Sequence, residues 1–168
     1  NGVATLTQWT LGVTAGANVV RATVSGPSGS PVSFSATGTV GAPTQLAITR
    51  QPAGAVSGES FTTQPIVVLR DVHGNLTTSS AAVPVVVLTG TGTLSGTTTV
   101  NAVNGTVTFT DLALAGLGNH TLRFTSPGVS NATSSSFALV AGAPSQVVIT
   151  TQPSGASSGL VFATQPVV

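Results

Sequence analysis

The sequence predicts an all-β fold built from tandem repeats, and three observations support this. Polar and apolar residues alternate in short runs such as Thr106 to Thr110 and Leu122 to Thr125, as in strands with one buried face. Gly, Pro and Asn separate these runs, for example at Asn104-Gly105, and the chain also carries a long internal repeat. No segment has helical periodicity. About seven short strands in roughly 100 residues are typical of an immunoglobulin-like β-sandwich.

Six runs in the middle of the chain are predicted strands, because each is bounded by turn residues. In order along the chain they are Gln45 to Thr49, Ile66 to Arg70, Val83 to Leu88, Thr106 to Thr110, Leu122 to Thr125 and Ser136 to Val140. Pro84, inside the third run, lacks the N–H that a β-ladder requires. An edge or a bulge is therefore expected there.

The sequence repeats itself with an offset of 101 residues, so that Gln51 and Gln64 recur as Gln152 and Gln165. A repeat of this length indicates one domain per unit. The matching segments, each with its second copy, are Ile48–Ala55 and Ile149–Ala156, Phe61–Pro65 and Phe162–Pro166, and Gly41–Pro43 and Gly142–Pro144. The two Gly-Ala-Pro segments are expected to mark the boundaries between units.

The start of the chain aligns more loosely with the end of this unit, with Trp9 on Leu112 and Arg21 on Arg123. Three pieces are therefore predicted. Residues 1–40 are the C-terminal strands of a preceding immunoglobulin-like repeat, residues 41–141 are a complete repeat, and residues 142–168 are the N-terminal strands of the following repeat, opened by a strand at Gln146 to Thr150. The array is expected to extend beyond both ends.

Five segments of the central unit resemble a known family. These are Gln51-Pro52, Thr63–Pro65, Leu69–Asn75 with its Asp-x-x-Gly-Asn turn after an apolar strand, the Gly-rich Gly90–Leu94, and Val107–Leu112. Together they resemble the bacterial immunoglobulin-like repeats of large surface proteins, including the invasin and intimin type. The resemblance implies a spacer or adhesive stalk outside the cell, and it implies no catalytic residues.

Charged residues make up only 4% of the chain, with four Arg, three acids and no Lys, against roughly 25% in an average domain. Four scattered arginines do not form the basic surface that nucleic acid or an anionic membrane requires. No run approaches the roughly 18 apolar residues that span a bilayer. Cysteine is absent, which excludes disulfides and thiolate metal sites.

Asp71 and His73 lie together in the predicted turn, an arrangement that suggests acid-base or metal chemistry. An Asx residue that opens a turn ending in Gly74-Asn75 satisfies local backbone donors instead, and this structural role is the one expected here. A hydrolase would also need a nucleophile with a base beside it, and no Gly-x-Ser-x-Gly elbow is present. No catalytic residue is predicted.

Metal and cofactor sites are likewise not predicted. Calcium requires about six oxygen ligands, whereas the only carboxylates are Glu59, Asp71 and Asp111. Zinc requires three or four converging ligands, and the only histidines are His73 and His120.

Trp9 and the phenylalanines, such as Phe34, Phe109 and Phe124, are expected to face a core and not to form a sugar-binding platform. The Thr-x-Thr runs are compatible with a flat ice-binding face, but outward Thr is more commonly a strand former on a solvated surface.

The leading hypothesis is a structural spacer or stalk of an extracellular or surface-attached bacterial protein, without catalysis. The first alternative is a subunit of a filament or sheath, because few charges oppose lateral packing. The second is an adhesive domain that binds glycan or ice. The predicted partners are neighbouring repeats and other copies in a fibre, with no nucleic acid and no membrane contact in this segment. Glycans on surface Thr, Ser or Asn are a further prediction, with candidates at Thr97–Thr99, Ser134–Ser136, Asn75, Asn104, Asn119 and Asn131.

Overall fold

The computed structural model describes residues 3–26 and 28–168. In these ranges the chain is all-β, as predicted, with twelve strands and no helix. The described residues therefore contain no helix that is long and apolar enough to cross a membrane. The strands in order are β1 Gly16–Ala22, β2 Val32–Gly38, β3 Gln45–Arg50, β4 Ile66–Arg70, β5 Ala82–Thr89, β6 Gly92–Ser95, β7 Thr99–Asn101, β8 Thr106–Thr108, β9 Ala113–Gly116, β10 Gly118–Ser126, β11 Val129–Thr133 and β12 Phe137–Leu139.

The main sheet has the order β7-β5-β10-β11-β3-β4-β8, and β12 also pairs with β10. Its neighbours are antiparallel except at one place, where β11 and β3 run parallel and pair Ser130 with Gln45. This parallel contact joins two antiparallel halves, which fold over a common core in a sandwich-like arrangement. A small β6-β9 sheet borders the core, and β1 and β2 form a separate hairpin.

The core lies entirely between Leu46 and Leu139 in the described chain. β10 shows the expected period of two, because His120, Leu122, Phe124 and Ser126 are all buried, while the residues between them are partly exposed. Phe124 packs on Phe109 with ring centroids 5.5 Å apart. Aromatic pairs of this kind add about 0.5 to 1.5 kcal/mol to the free energy gained from burial alone.

The predicted strand at Ile66 to Arg70 coincides with β4, and the other five predicted runs overlap β3, β5, β8, β10 and β12. Ten strands, rather than about seven, lie between residues 45 and 139. The additional ones are short, because glycines at positive φ interrupt the chain, as at Gly96 and Gly116. Pro84 pairs with β7, whereas the register with β10 begins at Val85. The proline therefore lies where β5 needs no donor toward β10.

The Asn104-Gly105 turn forms as the sequence predicts. Asn104 has φ of +48° and Gly105 of +73°, the left-handed conformation that a tight hairpin turn requires. Val103 and Thr106 exchange backbone hydrogen bonds of 2.8 and 3.0 Å across it.

Outside the core, two expectations about apolar side chains are wrong. Phe34 in β2 is 54% exposed, and Trp9 is partly exposed and not a member of the core. Among the described residues β1 and β2 pair only with each other, and alternation along β2 is not enough to bury Phe34. The strand expected at Gln146 to Thr150 is also not formed as such. Its counterpart β3 is paired on both sides, with β4 and β11.

Candidate functional site at the Asp71 turn

Asp71 follows β4 and is 1% exposed. Its Oδ1 accepts the backbone N–H groups of His73 and Asn75, each at 2.9 Å, and its Oδ2 accepts the N–H of Gly41 at 3.0 Å. The backbone closes the same turn, since Gly74 donates to the Asp71 carbonyl at 3.0 Å. The carboxylate thus satisfies local backbone donors, as the sequence predicts. It is the backbone of His73, and not the exposed imidazole, that meets Asp71.

These donors hold the pKa of the Asp71 carboxyl well below its usual range. The side-chain amide of Asn75 contributes most, followed by the N–H of Gly41 and then the backbone N–H groups of Asn75 and His73, while burial acts in the opposite direction. Hydrogen bonds to the charged form stabilise it. Asp71 is therefore ionised at neutral pH and a weak base, and its lone pairs are directed at N–H groups. These properties suit a structural anchor better than acid-base chemistry.

Asn75 connects this turn to a distant part of the chain. Its Nδ2 donates to the Val13 carbonyl at 2.9 Å, and its Oδ1 accepts the N–H of Ala15 at 3.0 Å. The same Nδ2 also contacts both oxygens of Asp71, at 2.9 and 3.2 Å. Val13 and Ala15 lie just before β1 and are 62 and 60 residues away in sequence. The Asn75 amide therefore both donates to and accepts from the backbone of this segment, as the backbone of a neighbouring strand does.

A groove of about 680 Å³ lies beside these bonds, lined by residues from the segments 10–15, 38–44 and 71–75. One wall belongs to the segment before β1 and the other to the Asp71 turn. Gly41 and Ala42, from the connection between β2 and β3, line it as well. The groove marks the place where the β1–β2 region, the connection and the central unit meet.

The other two carboxylates lie elsewhere. Asp111 accepts the N–H and the hydroxyl of Thr97 at 3.0 and 2.8 Å, and these two bonds lower the pKa of its carboxyl. Glu59 is exposed in the turn before Phe61. No group of three or more His, Cys, Asp or Glu side chains comes together in residues 3–26 and 28–168.

His120 is a core residue, which the sequence analysis did not anticipate. It is fully buried in β10, its Nδ1 and Nε2 each lie 3.0 Å from a backbone carbonyl, of Gly118 and Thr91, and its ring stacks near Phe137. The available signal was its position two and four residues before Leu122 and Phe124, on the buried face of one strand.

Gln64 is a second buried polar residue whose role was missed. Its Nε2 donates to the carbonyls of Phe61 and Leu112 at 3.1 and 2.9 Å, and its Oε1 accepts the Leu112 N–H at 3.0 Å. The side chain thus substitutes for a strand beside Leu112. Its recurrence as Gln165 was the signal that pointed to a conformational role.

Several local contacts recur 101 residues further along. Gly54 and Gly155 both have φ of +68°. The Thr49 hydroxyl donates to the Ile66 carbonyl at 3.3 Å, and the Thr150 hydroxyl donates to the Val167 carbonyl at 3.2 Å. The Gln64 side-chain amide donates to the Phe61 carbonyl at 3.1 Å, and that of Gln165 to the Phe162 carbonyl at 3.0 Å. The β-bridge between Ala53 and Thr63 recurs between Ser154 and Thr164. The two copies therefore share backbone geometry as well as sequence.

Three of the candidate glycan positions already form side-chain hydrogen bonds, and one of them is Thr97, whose hydroxyl donates to Asp111. The Asn75 amide nitrogen already donates to Val13 and Asp71, so that a glycan on it would break those bonds. Ser134 was expected to face outward, but it is buried. Its hydroxyl donates to the Ser135 carbonyl and accepts the Leu122 N–H, both at 2.9 Å.

No protein-family model matches this sequence, and no curated protein matches it at a significant level. Among solved structures, part of the β-glucuronidase of Parabacteroides merdae is similar, with 17% identity and a TM-score of 0.45 over 64% of this chain and 14% of that one. A second structure of that enzyme, with glycerol in its active site, gives 18% identity and a TM-score of 0.44 over 75% and 16% of the two chains. This chain therefore spans only a small part of the enzyme's length.

Proposed function

We propose that this chain is a structural spacer, made of tandem immunoglobulin-like repeats, from an extracellular or surface-attached bacterial protein. In this proposal residues 41–141 are one complete repeat, flanked by parts of two others. The chain performs no catalysis, and its partners are the neighbouring repeats.

The recurrence of the same hydrogen bonds 101 residues apart carries this proposal. A turn that is repeated in sequence and in geometry is what a tandem array requires. The position of the core supports the same division, since the buried apolar residues all lie between Leu46 and Leu139 in the described chain. One copy of the unit is thus sufficient to enclose a core.

The strand arrangement favours the immunoglobulin-like class. Two antiparallel halves meet over a shared core, and the first strand of the unit, β3, pairs in parallel with β11 near its end. A second parallel bridge joins Val56 to Val140. The first and last strands of the unit are therefore adjacent. This adjacency fixes the positions at which the chain enters and leaves one repeat.

The extracellular and bacterial part of the proposal rests on the resemblance to surface-protein repeats and on the composition. Hydroxyl-rich strands with 4% charged residues and no cysteine are compatible with an exported repeat protein, and they provide no electrostatic surface for nucleic acid.

Stretching single molecules of the protein tests the spacer function. Each repeat of 101 residues should unfold in one step and release about 300 Å of chain, given a maximum of roughly 3.3 to 3.6 Å per residue and a folded length on the order of 35 Å. The chain contains one complete repeat, so one such step of the same length in every molecule supports the proposal. Steps of unequal length, or a smooth extension without steps, contradict it.

Lateral assembly into a filament or sheath is a second candidate, and exposed apolar residues on β5 favour it. Val86 and Leu88 are both exposed on the outer face of this strand, and Arg123 of β10 lies opposite Val86. Sedimentation velocity over a range of concentrations tests this candidate. Assembly that Val86→Thr together with Leu88→Thr reduces supports a filament, whereas a monomer at all concentrations excludes it.

A further inference from the structure

We propose that the Asp71–Asn75 turn is a clamp that fixes the orientation of the preceding repeat relative to the unit that carries it. The partner it binds is the backbone of residues 13–15, just before β1. This inference rests on the proposed function, because it takes residues 1–40 as part of a preceding repeat. In this proposal the residues of the clamp provide the stiffness that a spacer needs.

The first anchor of the clamp is the Asn75 side chain. It forms two opposed hydrogen bonds with Val13 and Ala15, and a pair of opposed bonds restricts rotation more than a single bond does. The amide is itself held by the Asp71 carboxylate, at 2.9 and 3.2 Å. Its orientation is thus set before it meets the preceding segment, which lowers the entropy cost of the contact.

The second anchor is the bond from the Gly41 N–H to Asp71 Oδ2, at 3.0 Å. Gly41 belongs to the Gly-Ala-Pro connection, so this bond fixes the connection directly. A Cβ on Gly41 would lie 3.4 Å from the Cβ of Asp71, so the connection approaches the turn closely. The two anchors hold the connection and the preceding segment at separate points, and two points of attachment limit hinge motion.

Asp71 unites the two anchors. One oxygen accepts the Gly41 N–H, and both oxygens contact the Asn75 amide. A buried carboxylate must be surrounded by donors, and here one of those donors belongs to the connection and another to the side chain that binds the preceding segment. Arg70 braces the same turn by donating to the Gly74 carbonyl.

Spin-label distance measurement on the 168-residue chain tests the clamp. The chain has no cysteine, so Val19→Cys in β1 and Val86→Cys in β5, both at exposed positions, give one label on each side of the junction. The parent should give a narrow distance distribution. Asn75→Ala should at least double its width, while Asn119→Ala, at an exposed asparagine of β10, should leave it unchanged.

Two further variants separate loss of the clamp from loss of the fold. Ala15→Pro removes the N–H that Asn75 accepts and leaves residues 41–141 untouched, so it should broaden the distribution without changing the melting of the central unit. Asp71→Asn should release both anchors and broaden it at least as much as Asn75→Ala does. A parent distribution already as broad as that of Asn75→Ala overturns the clamp, and so does a width that neither Asn75→Ala nor Ala15→Pro changes.

The outcome is distinct from a failure of the spacer function. If the clamp variants leave the width unchanged while stretching still gives one step of the same length in every molecule, the clamp is wrong and the spacer stands. If the clamp variants broaden the distribution while stretching gives no such step, the contact is real but the array is not a spacer.

Discussion

Phe61 and Phe162 occupy the same position in two copies of one sequence, yet Phe61 is 3% exposed and Phe162 is 43% exposed. Both follow the same kind of turn, and the amide of the glutamine three residues later donates to the carbonyl of each, at 3.1 and 3.0 Å. Phe61 also packs edge-to-face on Phe137, with ring centroids 5.4 Å apart. Formation of the turn and burial of the phenylalanine are therefore separate effects. Local sequence is sufficient to form the turn, whereas burial requires the strands that follow it.

The largest effect is expected from separating the two copies. Residues 41–141 expressed alone should give an all-β circular dichroism spectrum and one cooperative melting transition, because they contain the whole core. Residues 142–168 alone should show no cooperative transition, since they bury almost nothing. A helical or non-cooperative central fragment would contradict the division into units, and a cooperative transition of the short fragment would contradict the comparison.

Truncation of the two phenylalanines is the next largest test. Phe61→Ala should destabilise the central unit by about 3 to 5 kcal/mol, because it leaves a cavity in a packed core. Phe162→Ala should change the free energy of unfolding of that unit by less than about 0.5 kcal/mol, as surface substitutions usually do. Urea unfolding of the 168-residue chain measures both. Equal effects would mean that Phe162 contributes to the core of the central unit.

The two equivalent glutamines should differ in the same direction but by less. Gln64→Ala removes the partner of the Leu112 N–H and one of two donors to the Leu112 carbonyl, which still accepts the Phe61 N–H at 2.9 Å. An unpaired buried polar group costs about 1 to 3 kcal/mol, and a loss in that range is expected. Gln165→Ala breaks only the contact with Phe162 and should cost less than about 0.5 kcal/mol. Urea unfolding provides the measurement, and a neutral Gln64→Ala would show that water replaces the amide.

Acid sensitivity should reside in the central unit, because residues 142–168 carry no ionisable side chain. The pKa of Asp71 is lower in the folded state, chiefly because of the Asn75 amide. Its contribution is therefore fully present above the unfolded value of about 3.9 and is lost as the pH falls below it. Below that value, unfolding of the parent should take up about one more proton per molecule than unfolding of Asp71→Asn, because the carboxyl is ionised in the folded state and protonated in the unfolded state. The stability of the parent should therefore fall from pH 5 to pH 2 more steeply than that of Asp71→Asn.

If the two slopes are the same, Asp71 does not account for the acid sensitivity, and Asp111 becomes the main candidate, since the Thr97 N–H and hydroxyl lower its pKa too. Asp111→Asn serves as the matched control. It should remove a separate part of the slope and leave the spin-label distance across the junction unchanged.

The smallest effect is expected from calcium. The Asp71 oxygens are directed at N–H donors and the Asp111 oxygens at Thr97, so the ion would have to displace these bonds. Neither calcium nor a chelator should shift the melting temperature of the central unit by more than about 1 °C. At a genuine calcium site, calcium at concentrations well above its Kd would stabilise the folded state and raise the melting temperature. A rise of several degrees would show that backbone carbonyls complete a site around one of the carboxylates.

The sequence by itself determined the features that depend on neighbouring residues. An apolar run bounded by turn residues was enough to predict β4. Alternation over a few positions predicted the buried face of β10, because successive side chains of a strand point to opposite sides. The Asn104-Gly105 turn and the bonds within the Asp71 turn span no more than four residues, and the preference of Asn and Gly for positive φ acts at that range. The repeat also belongs here, since the two copies form the same turn.

Only the tertiary structure decided which groups meet across the chain. Gln64 pairs with Leu112, 48 residues away, and Asn75 pairs with Val13, 62 residues away. No local pattern specifies such partners, because they depend on how the strands pack and on which segment lies beside a turn. The same reason explains why Phe34 is exposed although its strand alternates. Alternation determines which side chains share a face, whereas burial requires a second surface to cover that face.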